Sequence, residues 1–194
     1  MKKIWRNWAF AAFTLIGILS GSKLLAVYET KAPARIRKTI KIARLKAEAK
    51  SVARDSAAEL ASEERKELAN ALIHAGLNKI GIPYVYGGNS LKGFDCSGFV
   101  NHIFGEFNIT VPRSSELLAN AGKAVAMSKA RQGDIVIFTG TNPSIRKPGH
   151  VGIVISKTGE PIEFVHASSN GGVKVSKVPG TRYERRILEI RRVL

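Results

Sequence analysis

The sequence predicts an α+β fold, with N-terminal helices packed on a C-terminal antiparallel β-sheet. Three observations predict it. Up to about residue 121, apolar residues recur at spacings of three and four, the period of a helix face. From Ile135 onward, short apolar runs are separated by Gly-, Pro- and Asn-bearing turns, the signature of strands. Helical segments therefore come first and strands second, the order of an α+β protein rather than of an alternating one. At 194 residues the chain can hold one domain of ordinary size and an additional segment.

The chain opens with Lys2, Lys3 and Arg6, then an almost wholly apolar run from Trp8 to Leu19, then Ser20, Gly21 and Ser22. A basic start, an apolar centre and small residues at the exit read as an export signal. Residues 1–27 are thus either a signal peptide cut after Ser22 or Ala26, or a membrane anchor over residues 8–27. The anchor reaches the bilayer length of about 20 residues only by including Lys23. Either way the expected location is the periplasm or cell envelope. No cysteine follows the apolar run, so a lipoprotein cleavage site is absent.

Residues 28–66 read as a basic helical linker. The formal net charge is +16, and residues 1–60 carry 13 Lys/Arg against 4 Asp/Glu, a surplus of +9. Residues 31–54 combine Lys, Arg and Ala with a thin stripe of Ile36, Ile40, Ala43 and Ala47. They fit a solvated helix, an interfacial basic helix or a tether, drawn to the anionic envelope. Aromatic residues do not interleave with the basic ones, so a single-strand nucleic-acid platform is not expected. Ser56-Ala-Ala-Glu59 resembles a capping box and predicts a new helix there, with Leu60, Leu68, Leu72, Ala75 and Ile80 inward and Gly81 and Pro83 as its stop.

Tyr84 to Gly93 is a glycine-bearing loop that delivers the chain to Cys96, the only cysteine. Asp95 stands where a helix wants an N-cap acceptor, and Phe99, Val100, Ile103, Phe104 and Phe107 share a stripe with Cys96. The thiol is placed in the first turn of a half-buried helix ending near Glu106, where free N–H groups and the helix dipole favour a thiolate. His102 falls opposite the stripe. A short helix over roughly Ser115 to Ala121 follows. Strands are predicted over residues 135–138, 150–156, 162–168, 173–178 and 187–194.

The chemistry rests on parity. His150 and His166 flank a hairpin whose turn centres on Thr158 or Gly159, and both numbers are even. In either register the two imidazoles emerge on one face of the sheet, within about 4.5–5.5 Å or one diagonal step of each other. One ring can then orient the other. With the cysteine helix packed on that face, thiol, base and orienting group form a nucleophilic triad. A neighbouring histidine and the helix terminus would bring the thiol pKa into the range of about 3.5–7.5. The Cys96 N–H is a candidate oxyanion donor. One cysteine forms no internal disulfide, and no Cys/His cluster has zinc-site spacing, so neither a disulfide framework nor a metal is expected.

The run PYVYGGNSLKGFDCSGFV, followed in order by VPRSS, GDIVIF, GHVGIVI and FVHAS, resembles the NlpC-type cell-wall cysteine peptidases, a papain-like family. The likeness covers about residues 68 to 194, which gives a peptidase domain over 67–194; the ending IRRVL is similar to the periplasmic murein endopeptidase branch. The resemblance implies Cys96 as nucleophile, His150 as general base, His166 as the residue that orients His150, and Tyr84 at the oxyanion region. It leaves Asp95 and Ser97 as substrate contacts or helix caps, and Arg113 and Asp134 as structural. It implies peptidoglycan stem peptides as substrate and no cofactor. Tyr86 stands where tryptophan is common in the family, and Leu118 near a common glutamine. Two further readings are a related thiol amidase or acyltransferase, and a non-enzymatic basic envelope-binding protein.

Overall fold

A computed structural model describes residues 33–194; the expected leader or anchor over residues 1–27 lies outside the described residues. Two compact units divide between Glu59 and Leu60. Helix α1 runs without interruption over Ala34–Leu77. This corrects the expected break at Ser56. Between Ala34 and Ala75 there is neither Gly nor Pro, and Ala, Lys, Arg and Glu dominate, so nothing terminates the helix. The Ser56 hydroxyl donates to the Ala53 carbonyl inside it instead of capping a new start. Up to Glu59 its residues are exposed apart from Ile40, which is half-buried. Leu60 and Ile80, expected inward, are exposed, while Ala69, Leu72, Ile73 and Gly76 are buried. No helix among the described residues is long and apolar enough to cross a membrane.

After α1 the chain makes a small hairpin of β1 (Asn89–Ser90) and β2 (Gly93–Phe94), which the sequence had offered only as loop. Then come α2 (Cys96–Gly105), α3 (Ser115–Leu118), β3 (Lys123–Val125) and a 3-10 turn (Met127–Lys129). Strands β4 (Ile135–Thr139), β5 (Pro148–Val154), β6 (Glu163–Ser168), β7 (Gly172–Lys177) and β8 (Ile187–Arg192) follow. The six-stranded antiparallel sheet has the order β3-β8-β4-β5-β6-β7. The protein is α+β, as expected.

Both faces of this sheet are covered. Odd-numbered residues of its central strands, Ile135, Ile137, Val151, Ile153 and Val165, pack against Phe99, Val100, Ile103 and Phe104 of α2 and Leu72 of α1. Even-numbered residues Val136, Phe138, Val154, Phe164 and Ile190 form a second cluster with Tyr183 on the opposite face. Each fully buried Phe or Ile contributes about 1.5–3 kcal/mol. Asp134, at the entrance to β4, ties that strand to β8 by a bidentate pair with Arg192, at 2.8 Å to each carboxylate oxygen.

Helix α2 is pressed tightly onto the preceding loop. A side chain at Gly98 would overlap the Gly88 carbonyl oxygen, whereas one at Gly105 would meet nothing. Gly98→Ala should therefore lose about 1–3 kcal/mol in urea unfolding, while Gly105→Ala should be neutral or gain up to about 1 kcal/mol. Equal effects at the two positions would contradict this packing.

Candidate active site

Asp95 has an extended backbone (φ −86°, ψ 176°) and caps α2 by accepting the Gly98 N–H at 2.6 Å. Its carboxylate is also gripped by Arg113, whose Nη1 and Nη2 donate at 2.9 and 2.8 Å to the two oxygens. The same guanidinium reaches Ser97 Oγ and the carbonyls of Gly87 and Gly88. Burial would raise the Asp95 carboxyl, but the Arg113 bonds and the Gly98 N–H outweigh it and hold it below the usual carboxylate range. Asp95, Ser97 and Arg113 thus form a clamp that sets the position of the helix tip and of Cys96.

Cys96 is buried and lines a cleft of about 200 Å³ together with Tyr84, Gly149, His150, Tyr183 and two arginines, Arg182 and Arg186. The Val151 N–H is near enough to the thiol to favour its charged form. The sulfur thus lies against the backbone of the residue that follows His150.

The two histidines obey the predicted parity. Ile153 pairs with Val165, so the turn centres on Gly159 and His150 and His166 are diagonal neighbours. His150 Nε2 and His166 Nδ1 are 2.8 Å apart, with the rings nearly perpendicular. Their face, however, is the one opposite α2, shared with Phe138, Phe164 and Tyr183. The expectation that the cysteine helix packs on the histidine face is corrected. The helix body lies on the odd face, and Cys96 at its tip lines the same cleft as His150, next to the register shift between Phe138 and Thr139.

His166 Nε2 lies 3.0 Å from Ser176 Oγ on β7, a partner that sequence reasoning missed. Its signal was available: Ser176 is even-numbered and in the strand beside His166, in a register visible only once the turn at 169–172 is known. The relay Ser176–His166–His150 can carry its protons in one direction that leaves a base. His150 Nε2–H then donates to His166 Nδ1, His166 Nε2–H donates to Ser176 Oγ, and His150 Nδ1 keeps its lone pair.

Burial among aromatic rings, with Arg186 and Arg182 nearby, pushes His150 down to about 3. Burial and the neighbouring His150 push His166 down to about 2. Both are neutral at ordinary pH. The thiol was expected to be lowered, and this too is corrected. Burial and the Asp95 charge raise it, opposed by the N–H groups of Val151, Ser97 and Cys96 itself. A neutral His150 brings no positive charge to lower it. The resting arrangement is a thiol beside a neutral imidazole, suited to general-base activation during attack. Tyr84, in the same cleft, keeps its hydroxyl protonated: burial first, then Cys96 and Asp95, raise its pKa. It remains a hydrogen-bond donor.

Tyr86 is exposed on the loop before α2, and Leu118 is sealed in the core. Neither borders the cleft. His102 bonds Glu106 at 3.1 Å, away from the thiol.

The model of the NlpC/P60 family matches residues 81–192. The chain belongs to the NlpC/P60 family. Its NlpC/P60 region is similar to the murein DD-endopeptidase MepS/murein LD-carboxypeptidase of Escherichia coli K12, 40% identical over 115 residues, covering 59% of this chain and 57% of that protein. It is also similar to a probable endopeptidase of Haemophilus influenzae, 39% identical over 115 residues, covering 58% of this chain and 67% of that protein. The chain thus spans a little over half the length of its Escherichia coli relative. Among solved structures, an NlpC/P60 family protein from Bacillus cereus superposes with a TM-score of 0.59 at 29% identity, over 65% of this chain and 40% of that one. The peptidoglycan hydrolase RipB of Mycobacterium tuberculosis superposes with a TM-score of 0.54 at 27% identity, over 66% of each. The fold is the papain-like α+β fold of these domains.

Two outcomes follow from the relay. Below pH 6.5 the unfolded histidines bind protons that the folded ones refuse, so the unfolded state holds more protons and stability falls as pH drops toward 3. Urea unfolding should show this loss between pH 6.5 and 4, and His166→Asn should reduce it; a pH-independent midpoint would contradict the neutral pair. Ser176→Ala should lower kcat about tenfold with KM little changed, and Ser176→Thr should restore it. Unchanged kcat in Ser176→Ala would remove Ser176 from the relay.

Proposed function

We propose that this chain is a cysteine peptidase of the cell envelope that hydrolyses stem peptides or cross-links of peptidoglycan. The observation that carries the reading is the cleft that Cys96, His150 and Tyr84 share, with the His150–His166–Ser176 relay behind it. The murein endopeptidase and peptidoglycan hydrolase names of its relatives supply the substrate class.

The Cys96 sulfur attacks the scissile carbonyl carbon while its proton passes to His150 Nδ1. His166 holds the opposite ring nitrogen and spreads the charge of the imidazolium that forms. The Cys96 N–H and the Tyr84 O–H donate to the developing oxyanion. The C–N bond breaks, the amine takes the proton from His150, and a thioester remains. Water then gives a proton to His150 and attacks the thioester, and the thiol is restored. Protein side chains, the Cys96 backbone N–H and water carry out these steps. Residues 67–194 act as the peptidase domain. Residues 28–66 act as a basic helical linker, whose stretch 31–54 contacts the anionic envelope. Residues 1–27 direct export.

Incubation of purified sacculi with the full chain, followed by mass spectrometry of the soluble products, tests this. Stem-peptide fragments are expected. Cys96→Ala should reduce turnover by about three orders of magnitude or more with unchanged folding. His150→Ala should cost more than His166→Ala, because one transfers the proton and the other orients it. Release of intact stems would indicate an amidase. Binding to sacculi without any product, or equal activity of wild type and Cys96→Ala, would contradict the proposal.

A further inference from the structure

The cleft beside Cys96 contains two cations that the steps above do not use. Arg182 and Arg186 line it, and the other lining residues include no carboxylate. Among the described residues neither arginine has an acidic partner. Arg186 is only 7% exposed. One of its terminal nitrogens donates to the neutral Thr139 carbonyl at 2.9 Å, and its Nε has no partner at all. Both guanidinium groups lie over the Tyr183 ring, 5.2–5.3 Å from its centroid.

A guanidinium taken this far out of water without a counter-charge is costly. The Tyr183 ring returns only a small part of that cost. Buried polar atoms in native proteins nearly always find a partner, and an orphan calls for an explanation. The explanation consistent with Arg186 lining the cleft is that the counter-charge for its guanidinium arrives with the ligand. Arg182 is exposed at the rim of the same cleft and is free to swing onto a bound anion. Arginine is suited to bidentate carboxylate recognition, and a site shielded from water strengthens such a pair.

We infer that Arg182 and Arg186 form a subsite for a substrate carboxylate, borne by a residue close to the bond that Cys96 attacks. The inference rests on the peptidase reading for the identity of the substrate, a stem peptide with free carboxylates. The rest of the cleft rim is neutral and polar, with Thr141, Ser168, Ser169 and Asn170 available to the peptide backbone.

The full chain carrying Cys96→Ala is titrated with a synthetic stem tetrapeptide whose carboxylates are free, and with the same peptide fully amidated. The acid form should bind at least about tenfold more tightly. Arg182→Gln in the same background, a change at an exposed residue, should remove most of that preference. Equal affinity for the two peptides, a preference untouched by Arg182→Gln, or failure of both peptides to bind would overturn the subsite. The active chain is assayed with the same pair. Preferential binding by Cys96→Ala, with wild type cleaving neither peptide and releasing no product from sacculi, supports the subsite and overturns the peptidase. Cleavage of both peptides with equal kcat/KM overturns the subsite and leaves the peptidase standing.

Discussion

The hydrogen bond between His150 and His166 is the interaction on which the site depends. It spans 2.8 Å inside a cluster of aromatic rings, and it ties down one nitrogen of each imidazole. Because burial disfavours the charged form there, both rings stay neutral at ordinary pH. A neutral ring whose Nε2 is occupied has one place left to take a proton. The Ser176 hydroxyl can accept or donate, so it is compatible with the tautomer in which His166 Nε2–H donates to it and His150 Nδ1 is left as the base.

The sheet separates two jobs between its faces. The odd-numbered face receives α2 and so anchors the thiol; the even-numbered face receives the histidines and the rings around them. Sulfur and base share a cleft beside the register shift at Phe138 and Thr139. The helix tip must then be held firmly. Arg113 and the α2 N-cap do this through both oxygens of Asp95, and Gly98 permits the close approach of helix to loop. Asp95 stabilises the helix at some expense to thiol acidity, since its charge helps to raise the Cys96 pKa. General-base activation tolerates that, because the proton need leave only as the bond forms.

Much of this was legible in the sequence because period and parity are local properties. The apolar stripe after Cys96 announced α2, and two even numbers around a tight turn placed His150 and His166 on one face. What failed depended on long-range facts. Which face receives the helix is set by the odd-numbered residues Val151, Ile153 and Val165, which look no more apolar than their even-numbered neighbours Val154 and Phe164. The apparent cap at Ser56 lost to an unbroken run of helix-forming residues on either side. Ser176 and Arg186 carry no motif of their own, and only the folded register and the loop after β7 bring them to the histidines and the cleft. The direction of the thiol shift could not be read at all, because it depends on how much water reaches the sulfur.

The account stands most directly on the protonation of His150 in the resting protein. Nitrogen-15 NMR of the histidine rings at pH 6 reads it. A neutral His150 ring with its proton on Nε2, beside a neutral His166, is the predicted result. A doubly protonated His150 at that pH, paired with a thiolate at Cys96, would contradict it.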